Sequence, residues 1–151
     1  MYKNTRMKKQ IIMMLISAVM ILLLTRCALG VSQRLPRVQN TGDIVSFLNS
    51  FGWAADPEPV TVKNVQIPAK FTPVYKQYNE LQKRQGFDLS KYRADIVESY
   101  SFRILNHPAP GDVFANVLVY KGRIIGGDIC SFAINGFMTS LDGKSLTADI
   151  K

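Results

Sequence analysis

Metal-binding side chains are scarce in this chain of 151 residues, which has one histidine and two cysteines. A structural zinc site takes four such ligands, so a self-contained site of that kind is excluded and we expect no metal or other cofactor. Cys130 is the only cysteine beyond the first thirty residues, so the folded part cannot form an internal disulfide. A stretch of about 110 residues is long enough to be stabilised by its hydrophobic core instead.

Acidic residues are absent from the first forty positions, which carry seven basic ones. Beyond them, twelve basic residues face eleven acidic ones, so the net charge of +8 belongs almost entirely to the N-terminal segment. A nucleic-acid-binding domain needs its basic surface on the folded part. The nearly neutral remainder therefore predicts that nucleic acid is not a partner.

The N-terminal residues 1–31 have the pattern of a signal peptide or a signal-anchor. Four basic residues precede Ile11–Leu24, a run of 14 residues in which only Ser17 is polar. A helix of that length spans about 21 Å, against roughly 30 Å for the hydrocarbon core of a membrane. The span is sufficient if the helix continues to Val31 while the Arg26 side chain reaches the interface.

Three fates of this segment stay open from the sequence. It is retained as a single-pass anchor, it is cleaved after Gly30, or it is lipidated at Cys27, although Arg26 stands where lipidation requires a small residue. A buried helix of a cytosolic protein is the alternative to all three. We expect a protein of the cell membrane with its C-terminal domain outside the cytoplasm, or else a secreted protein.

Residues 32–40 have no apolar period and are interpreted as a tether, followed by a single domain over residues 41–151. The fold class predicted for this domain is α+β. We expect two helices packed beside a mainly antiparallel sheet of about four to five strands.

Two helices are predicted from apolar spacing and end signals. The first covers Ile44–Phe51, with Thr41 or Asp43 as its N-cap and Gly52 at its end, after which Trp53 folds back.

The second helix begins at Thr72 as N-cap and has Pro73 in its first turn, where the missing N–H costs nothing. Its predicted apolar face runs from Val74 to Leu81. Gly86 is expected in the left-handed region, where it ends the helix and turns Phe87 toward the core.

The strands are predicted from alternation. Val60–Ile67 changes parity at Asn64, which indicates a bulge or an edge strand. Residues 94–105 alternate as in a half-buried strand. Val113–Tyr120 is apolar on both parities except at Asn116, so it is expected to be central and covered on both faces.

Two hairpins complete the predicted sheet. Lys121-Gly122 is a two-residue turn that leads into a returning strand over residues 123–133. Asn135-Gly136 is a second turn signal, followed by a short strand over Phe137–Leu141.

One arrangement of residues could support nucleophilic catalysis. Cys130 is the only thiol and His107 the only imidazole of the domain. A tight turn at Lys121-Gly122 pairs Val113 with Cys130, and the loop with His107 and Asp112 enters at that end of the sheet. A Cys/His/Asp arrangement is therefore compatible with the topology. A buried thiol and a solvated loop histidine are the alternative interpretation, and we assign no catalytic residue.

The run Gly126-Gly127-Asp128 resembles a phosphate-binding loop in composition only. Such loops connect a strand to a helix, whereas these glycines fall inside a predicted antiparallel strand. We expect a bulge, or an aromatic side chain such as Trp53 lying across the bare backbone.

Several short strings together resemble a known family. They include Phe51-Gly52-Trp53, the QGFDL of Gln85–Leu89 and the IGGDIC of Ile125–Cys130. They are similar to domain of unknown function 4830, a family of small exported proteins of Firmicutes-type bacteria. The resemblance covers Asp43–Leu141 and implies a membrane-proximal or secreted location. It implies no activity and no catalytic residue.

Our main functional hypothesis is a non-enzymatic, extracytoplasmic interaction domain held at the membrane, with a protein partner or a second copy covering one sheet face. The alternative is a small secreted ligand-binding module whose pocket is walled by the helix over Val74–Arg84. A cysteine hydrolase based on Cys130 and His107 is the third hypothesis.

Overall fold

The computed structural model describes residues 35–133 and 136–144. The predicted leader and Asn135 of the second hairpin lie outside these residues. In the described part, no helix has the length and apolar character needed to cross a membrane. The predicted α+β class is confirmed, with two helices and one antiparallel sheet of five strands in sequential order. The elements are α1 (Thr41–Asn49), β1 (Thr61–Gln66), α2 (Pro73–Arg84), β2 (Ile96–Ile104), β3 (Val113–Tyr120), β4 (Arg123–Ser131) and β5 (Met138–Thr139).

Residues 35–40, in the second half of the predicted tether, contact the sheet. The carbonyl of Pro36 accepts a hydrogen bond from the Ile124 N–H at 2.9 Å, and the Val38 N–H donates to the Gly122 carbonyl at 2.9 Å. Leu35 also packs against the core. The segment has no apolar period, yet its backbone hydrogen bonds and a few side-chain contacts hold it against the sheet.

Helix α1 begins at Thr41, before the predicted span of Ile44–Phe51. Its N-cap is Asn40, and neither Thr41 nor Asp43 fills that position. Asp43 instead completes a capping box, because its carboxylate accepts from the Asn40 N–H while the Asn40 side chain accepts from the Asp43 N–H. Gly52 has a φ of 89°, and the Trp53 N–H returns to the Leu48 carbonyl at 3.3 Å, as predicted.

Helix α2 has the predicted ends. The Thr72 hydroxyl accepts from the Tyr75 N–H at 3.2 Å, and Gly86 has a φ of 85°. The predicted apolar face was wrong at its first residue, because Val74 is exposed. Asn79 and Gln82 are buried instead, so the helix presents polar side chains to the rest of the domain.

Strand β1 is an edge strand, which confirms one of the two alternatives indicated by the change of parity at Asn64; the other, a bulge, is not found in this strand. Its pairing with β2 is continuous from Thr61 to Gln66. Most residues of this strand are exposed on both faces, so its apolar residues do not have to share one parity. The half-buried pattern expected for β2 holds in its second half, where Phe102 and Ile104 are buried and Arg103 is exposed. In the first half the parity is reversed, because Val97 and Ser99 are buried.

Strand β3 is central and is covered on both faces, as predicted. Lys121 and Gly122, with φ values of 48° and 68°, form the tight turn to β4. A bulge opposite Leu118 and Val119 shifts the pairing by one residue, so Cys130 pairs with Phe114 and not with Val113.

Two apolar clusters lie on opposite faces of the sheet. On the face we call the α1 face, Ile44 and Leu48 of α1 cover Phe102, Val117 and their neighbours. On the α2 face, Leu118 and Val97 pack with residues from the segments around α2. Phe87 belongs to the first cluster and Leu89 to the second, so the segment after α2 contributes to both.

Candidate functional site

A row of polar side chains crosses the α2 face. Ser101, Asn116 and Asp128 lie opposite one another on β2, β3 and β4. The Ser101 hydroxyl donates to Asn116 Oδ1 at 2.6 Å. Asn116 Nδ2 donates to Asp128 Oδ1 at 2.9 Å and to Cys130 Sγ at 3.2 Å. The amide of Asn116 thereby connects all four side chains.

Helix α2 contacts this row through Tyr78, whose hydroxyl donates to Asp128 Oδ2 at 2.8 Å. Both carboxylate oxygens therefore accept a hydrogen bond, although Asp128 is only 2% exposed. Burial raises the pKa of Asp128, and the hydrogen bonds from Asn116 and Tyr78 oppose that shift only in part. Burial, with the nearby Asp128 carboxylate, also raises the pKa of Tyr78 well above its usual value.

The glycines of β4 lie inside an antiparallel strand, as predicted, and are not a phosphate loop. The Gly127 N–H already donates to Gln82 Oε1 at 2.8 Å. Of the two expectations for this run, the bulge is confirmed, because the pairing with β3 shifts by one residue between Ile124 and Gly126. The side chain over Gly126 is Gln82 and not Trp53, since a Cβ on Gly126 would meet Gln82 Oε1 at 2.9 Å. Trp53 lies near Gly143 instead.

A second glutamine completes this contact between α2 and the sheet. Gln85 Nε2 donates to the Gly127 carbonyl at 3.1 Å, and Gln85 Oε1 accepts from the Leu141 N–H at 2.7 Å. The Gly127 carbonyl and the Leu141 N–H lie outside the short pairing between β4 and β5, and the Gln85 side chain provides the hydrogen-bond partner for both. The C-terminal turn of α2 is thus fixed to the sheet by amide side chains.

An open groove adjoins the N-terminal half of α2. Its volume is about 410 Å³, which lies in the range of small-molecule sites. Met138 of β5 forms the wall that faces the helix. The lining residues are Val74, Tyr75, Gln77, Tyr78, Leu81 and Met138. None of them is charged, and Tyr78 connects the groove to the buried Asp128.

Two aromatic contacts shape the tyrosine wall of the groove. The rings of Tyr75 and Tyr78 meet edge to face with centroids 5.7 Å apart. Phe71 lies against Tyr75 at 4.7 Å, and the Arg93 guanidinium lies over Phe71 at 4.7 Å. The Tyr75 ring therefore contacts two other aromatic rings, a kind of pairing that adds stabilisation beyond the buried area.

His107 and Cys130, the two residues considered for catalysis, have different surroundings. The His107 ring stacks on Trp53 at 5.4 Å and on Phe137 at 5.1 Å, and both of these pack against the cluster of the α1 face. Cys130 contacts Asn116 in the polar row. Asp112 pairs with Arg103 at 3.0 Å. Within the described residues, these contacts do not bring the three side chains together.

The Cys130 thiol is a poor nucleophile in this position. Burial and the nearby Asp128 carboxylate raise its pKa to about 11. The thiolate is the reactive form, so very little of it is present at neutral pH. The part of the chain that the structure describes has no cluster of three metal-binding side chains either.

The polar row was not identified from the sequence, although two signals were present. Asn116 was the single polar residue in the apolar run of β3, and Asp128 was the single acidic residue in the returning strand. Only the register of β3 and β4 shows that these two residues face each other. Tyr78 had been assigned to an ordinary apolar helix face.

These features define a small α+β domain with an uncharged groove beside a buried carboxylate. A family model, "Domain of unknown function (DUF4830)", matches residues 47–129, which is more than half of the chain. The chain belongs to this family, as the resemblance predicted. No curated protein and no solved structure matches it.

Proposed function

We propose that this protein is a non-enzymatic binding module, held outside the cytoplasm at the membrane by its N-terminal segment. The acid-free, basic start followed by Ile11–Leu24 supports this location. The separate surroundings of Cys130, His107 and Asp112 support a role without covalent catalysis.

The observation that carries the proposal is the groove between α2 and β5. Val74 is 75% exposed and Met138 is 50% exposed, yet both line one concave site. Large apolar side chains grouped around a cavity are typical of a binding surface, whereas single exposed ones need no explanation. The groove is therefore the surface that we assign to ligand or partner contact.

The groove lies along the helix over Val74–Arg84, where the alternative hypothesis expected a pocket. The main hypothesis instead expected a partner or a second copy to cover one face of β3. Both clusters over β3 contain residues of this chain, namely α1 residues on one face and residues next to α2 on the other. The face of β3 is thus occupied, and the groove remains as the open apolar site.

Photo-crosslinking in intact cells tests the proposed surface. The crosslinking residue p-benzoylphenylalanine replaces Val74, and the matched control replaces Val62, an exposed valine on the edge strand β1. We expect an adduct of one defined mass from position 74 that is absent from position 62. Equal adducts from both positions, or none from position 74, would contradict the assignment.

Thiol labelling in intact cells tests the proposed location. A Cys27→Ser background removes the leader thiol, and the buried Cys130 thiol gives little background because its pKa is about 11. Lys70→Cys then adds one exposed thiol to the domain. We expect a membrane-impermeant maleimide to label it without lysis. Labelling only after lysis would show that the domain is cytoplasmic.

A further inference from the structure

The groove and the buried carboxylate together determine which ligand charge the site favours. Tyr78 lines the groove, and its hydroxyl donates a hydrogen bond to the Asp128 carboxylate. The partners of the Asp128 carboxylate are the uncharged side chains of Tyr78, Asn116 and Cys130, so none of these partners carries a positive charge. One tyrosine side chain therefore separates an uncompensated acidic group from the groove.

An anionic ligand is disfavoured in this groove. None of the six lining residues is basic, so nothing there would pair with a carboxylate or phosphate. The ionised Asp128 would also repel it through a poorly solvated region, where charge interactions are strong. A cation experiences the opposite field. It would also meet the tyrosine rings, whose faces attract positive charge.

The groove lining has few polar groups, and this favours a quaternary ammonium over a primary ammonium. A primary ammonium brings three N–H donors, and each needs an acceptor once it leaves water. Gln77 is the only lining residue with an amide, and the Tyr78 hydroxyl is already engaged with Asp128. A quaternary ammonium has no N–H to satisfy, and its methyl groups can pack against Val74, Leu81 and Met138.

Resting on the proposed function, we infer that the α2–β5 groove binds a small quaternary ammonium compound, with the rings of Tyr75 and Tyr78 and the charge of Asp128 as its recognition elements. The ring of Tyr78 contacts the cation, and Asp128 acts through Tyr78. Asp128 is therefore a positioning residue, and its effect should fall on the charged ligand alone.

Methionine-methyl NMR provides a local measurement of binding. Met138 is the only methionine after Met20, so its resonance is the single signal from the domain. The full chain is labelled with ¹³C-methyl methionine in dodecyl maltoside, which carries no ammonium head group. The probes are choline, its uncharged isostere 3,3-dimethylbutan-1-ol and the anion 3,3-dimethylbutanoate.

We expect choline to shift the Met138 resonance saturably and to bind about tenfold tighter than the alcohol. Asp128→Asn keeps the shape but removes the charge, so it should bring the two affinities close together and leave that of the alcohol unchanged. Tyr78→Phe, a second variant that keeps the ring, should have the same but smaller effect. Asp112→Asn is the control and should change neither affinity.

Other outcomes separate this inference from the proposed function. Equal binding of choline and the alcohol would overturn the charge selection but leave a binding groove. Tightest binding by the anion, or an unchanged affinity ratio in Asp128→Asn and Tyr78→Phe, would overturn it as well. Tighter binding of N-acetyl-lysine methylamide than of choline would overturn the inference, because it would show that the groove prefers the primary ammonium of a lysine side chain to a quaternary ammonium. If none of these probes binds, the inference of a quaternary ammonium ligand is also overturned. The crosslinking experiment at position 74 tests separately whether the groove is a contact surface.

Discussion

The two faces of the sheet are built from the same strands and have opposite characters. On the α1 face, β2 and β3 contribute apolar side chains such as Phe102 and Val117, which are fully buried. On the α2 face the neighbouring positions of the same strands are Ser101 and Asn116, and β4 adds Asp128. One face thus supplies the apolar cohesion, whereas the other also carries the polar row and the groove.

The difference between the faces has an energetic consequence. Apolar burial stabilises the α1 face without any requirement on geometry beyond close packing. A buried polar group stabilises only when its partners are in place, and otherwise it costs free energy. The α2 face therefore tolerates less disturbance of orientation. That is expected of a surface that keeps a buried carboxylate beside an open groove.

The largest expected effect comes from truncation on the α1 face. Phe102→Ala removes a fully buried aromatic side chain and should lower the free energy of unfolding by about 3–5 kcal/mol. Tyr78→Phe on the α2 face removes a hydroxyl without leaving a cavity and should cost about 1 kcal/mol. Urea unfolding of both variants measures the contrast. Equal losses would show that the α1 face does not dominate stability.

Two adjacent glycines of β4 test the faces with one methyl group each. A Cβ on Gly127 would meet the Asn116 backbone carbonyl at 2.7 Å and Leu141 at 3.1 Å. A Cβ on Gly126 would meet mainly the side chain of Gln82 on the opposite face. We expect Gly127→Ala to destabilise by about 2–3 kcal/mol and Gly126→Ala by about 1 kcal/mol, because a side chain can move and the strand cannot. Thermal unfolding that reverses this order would contradict the assignment.

The pH dependence of stability isolates Asp128. Its pKa is raised by burial in the folded protein. The folded state then binds more protons than the unfolded state, so this stabilising contribution is present below the unfolded pKa of about 3.9 and is lost as pH rises through the folded pKa. Asp128→Asn should therefore gain stability relative to the native chain as pH rises, by about 1.4 kcal/mol for each unit by which the pKa is raised.

The pKa of Asp88 is shifted in the opposite direction from that of Asp128, so Asp88 must be separated from the measurement. Burial acts to raise the pKa of Asp88, but hydrogen bonds from Ser90 and Asn79 outweigh it and the pKa is lowered. Asp88 remains in both proteins, so it cancels when their free energies of unfolding are subtracted. A difference that does not change between about pH 4 and pH 8 would mean that Asp128 titrates normally.

The smallest effect concerns the connection between the two faces. Gly86, with a φ of 85°, directs Phe87 toward the α1 face and Leu89 toward the α2 face. Gly86→Ala should cost about 1 kcal/mol because a Cβ is strained in the left-handed region, whereas Gly86→Asn should cost less because asparagine tolerates it. Urea midpoints of the two variants measure this. A larger loss for asparagine would indicate that space, rather than backbone strain, limits the position.

Gly143 is not a suitable reference for that comparison. The last ten residues are polar, which by itself predicts a loose C-terminal tail in which Gly143→Val would change little. Gly143 itself has a φ of 78°, and a Cβ there would lie 3.5 Å from the Trp53 ring. The Trp53 indole N–H also donates to the Leu141 carbonyl. The expectation was wrong for Gly143, because contacts distant in sequence fix the chain there.

The parts of the fold that were predicted correctly depend on neighbouring residues. The Thr72-Pro73 start and the Gly86 end of α2 follow from capping and from a left-handed backbone. The Lys121-Gly122 turn is equally local, and the double-sided apolarity of Val113–Tyr120 already marked a central strand. The misplaced N-cap of α1 shows the limit of such signals, since Asn40, Thr41 and Asp43 are all acceptable caps.

Tertiary structure alone decided the candidate site. A bulge of one residue in β4, between Ile124 and Gly126, changes which side chains face each other. The glycine run indicated a bulge as one possibility, but it did not indicate which pairs of residues the bulge would create. That shift pairs Cys130 with Phe114, and further along the same strands Asn116 lies opposite Asp128. The sequence determined which segments are helices and strands, because caps, turns and apolar runs are local. It suggested a pocket along the helix over Val74–Arg84 only as one alternative, and it did not determine the polar row beside that groove, because strand register and the docking of α2 depend on the packing of residues far apart in the chain.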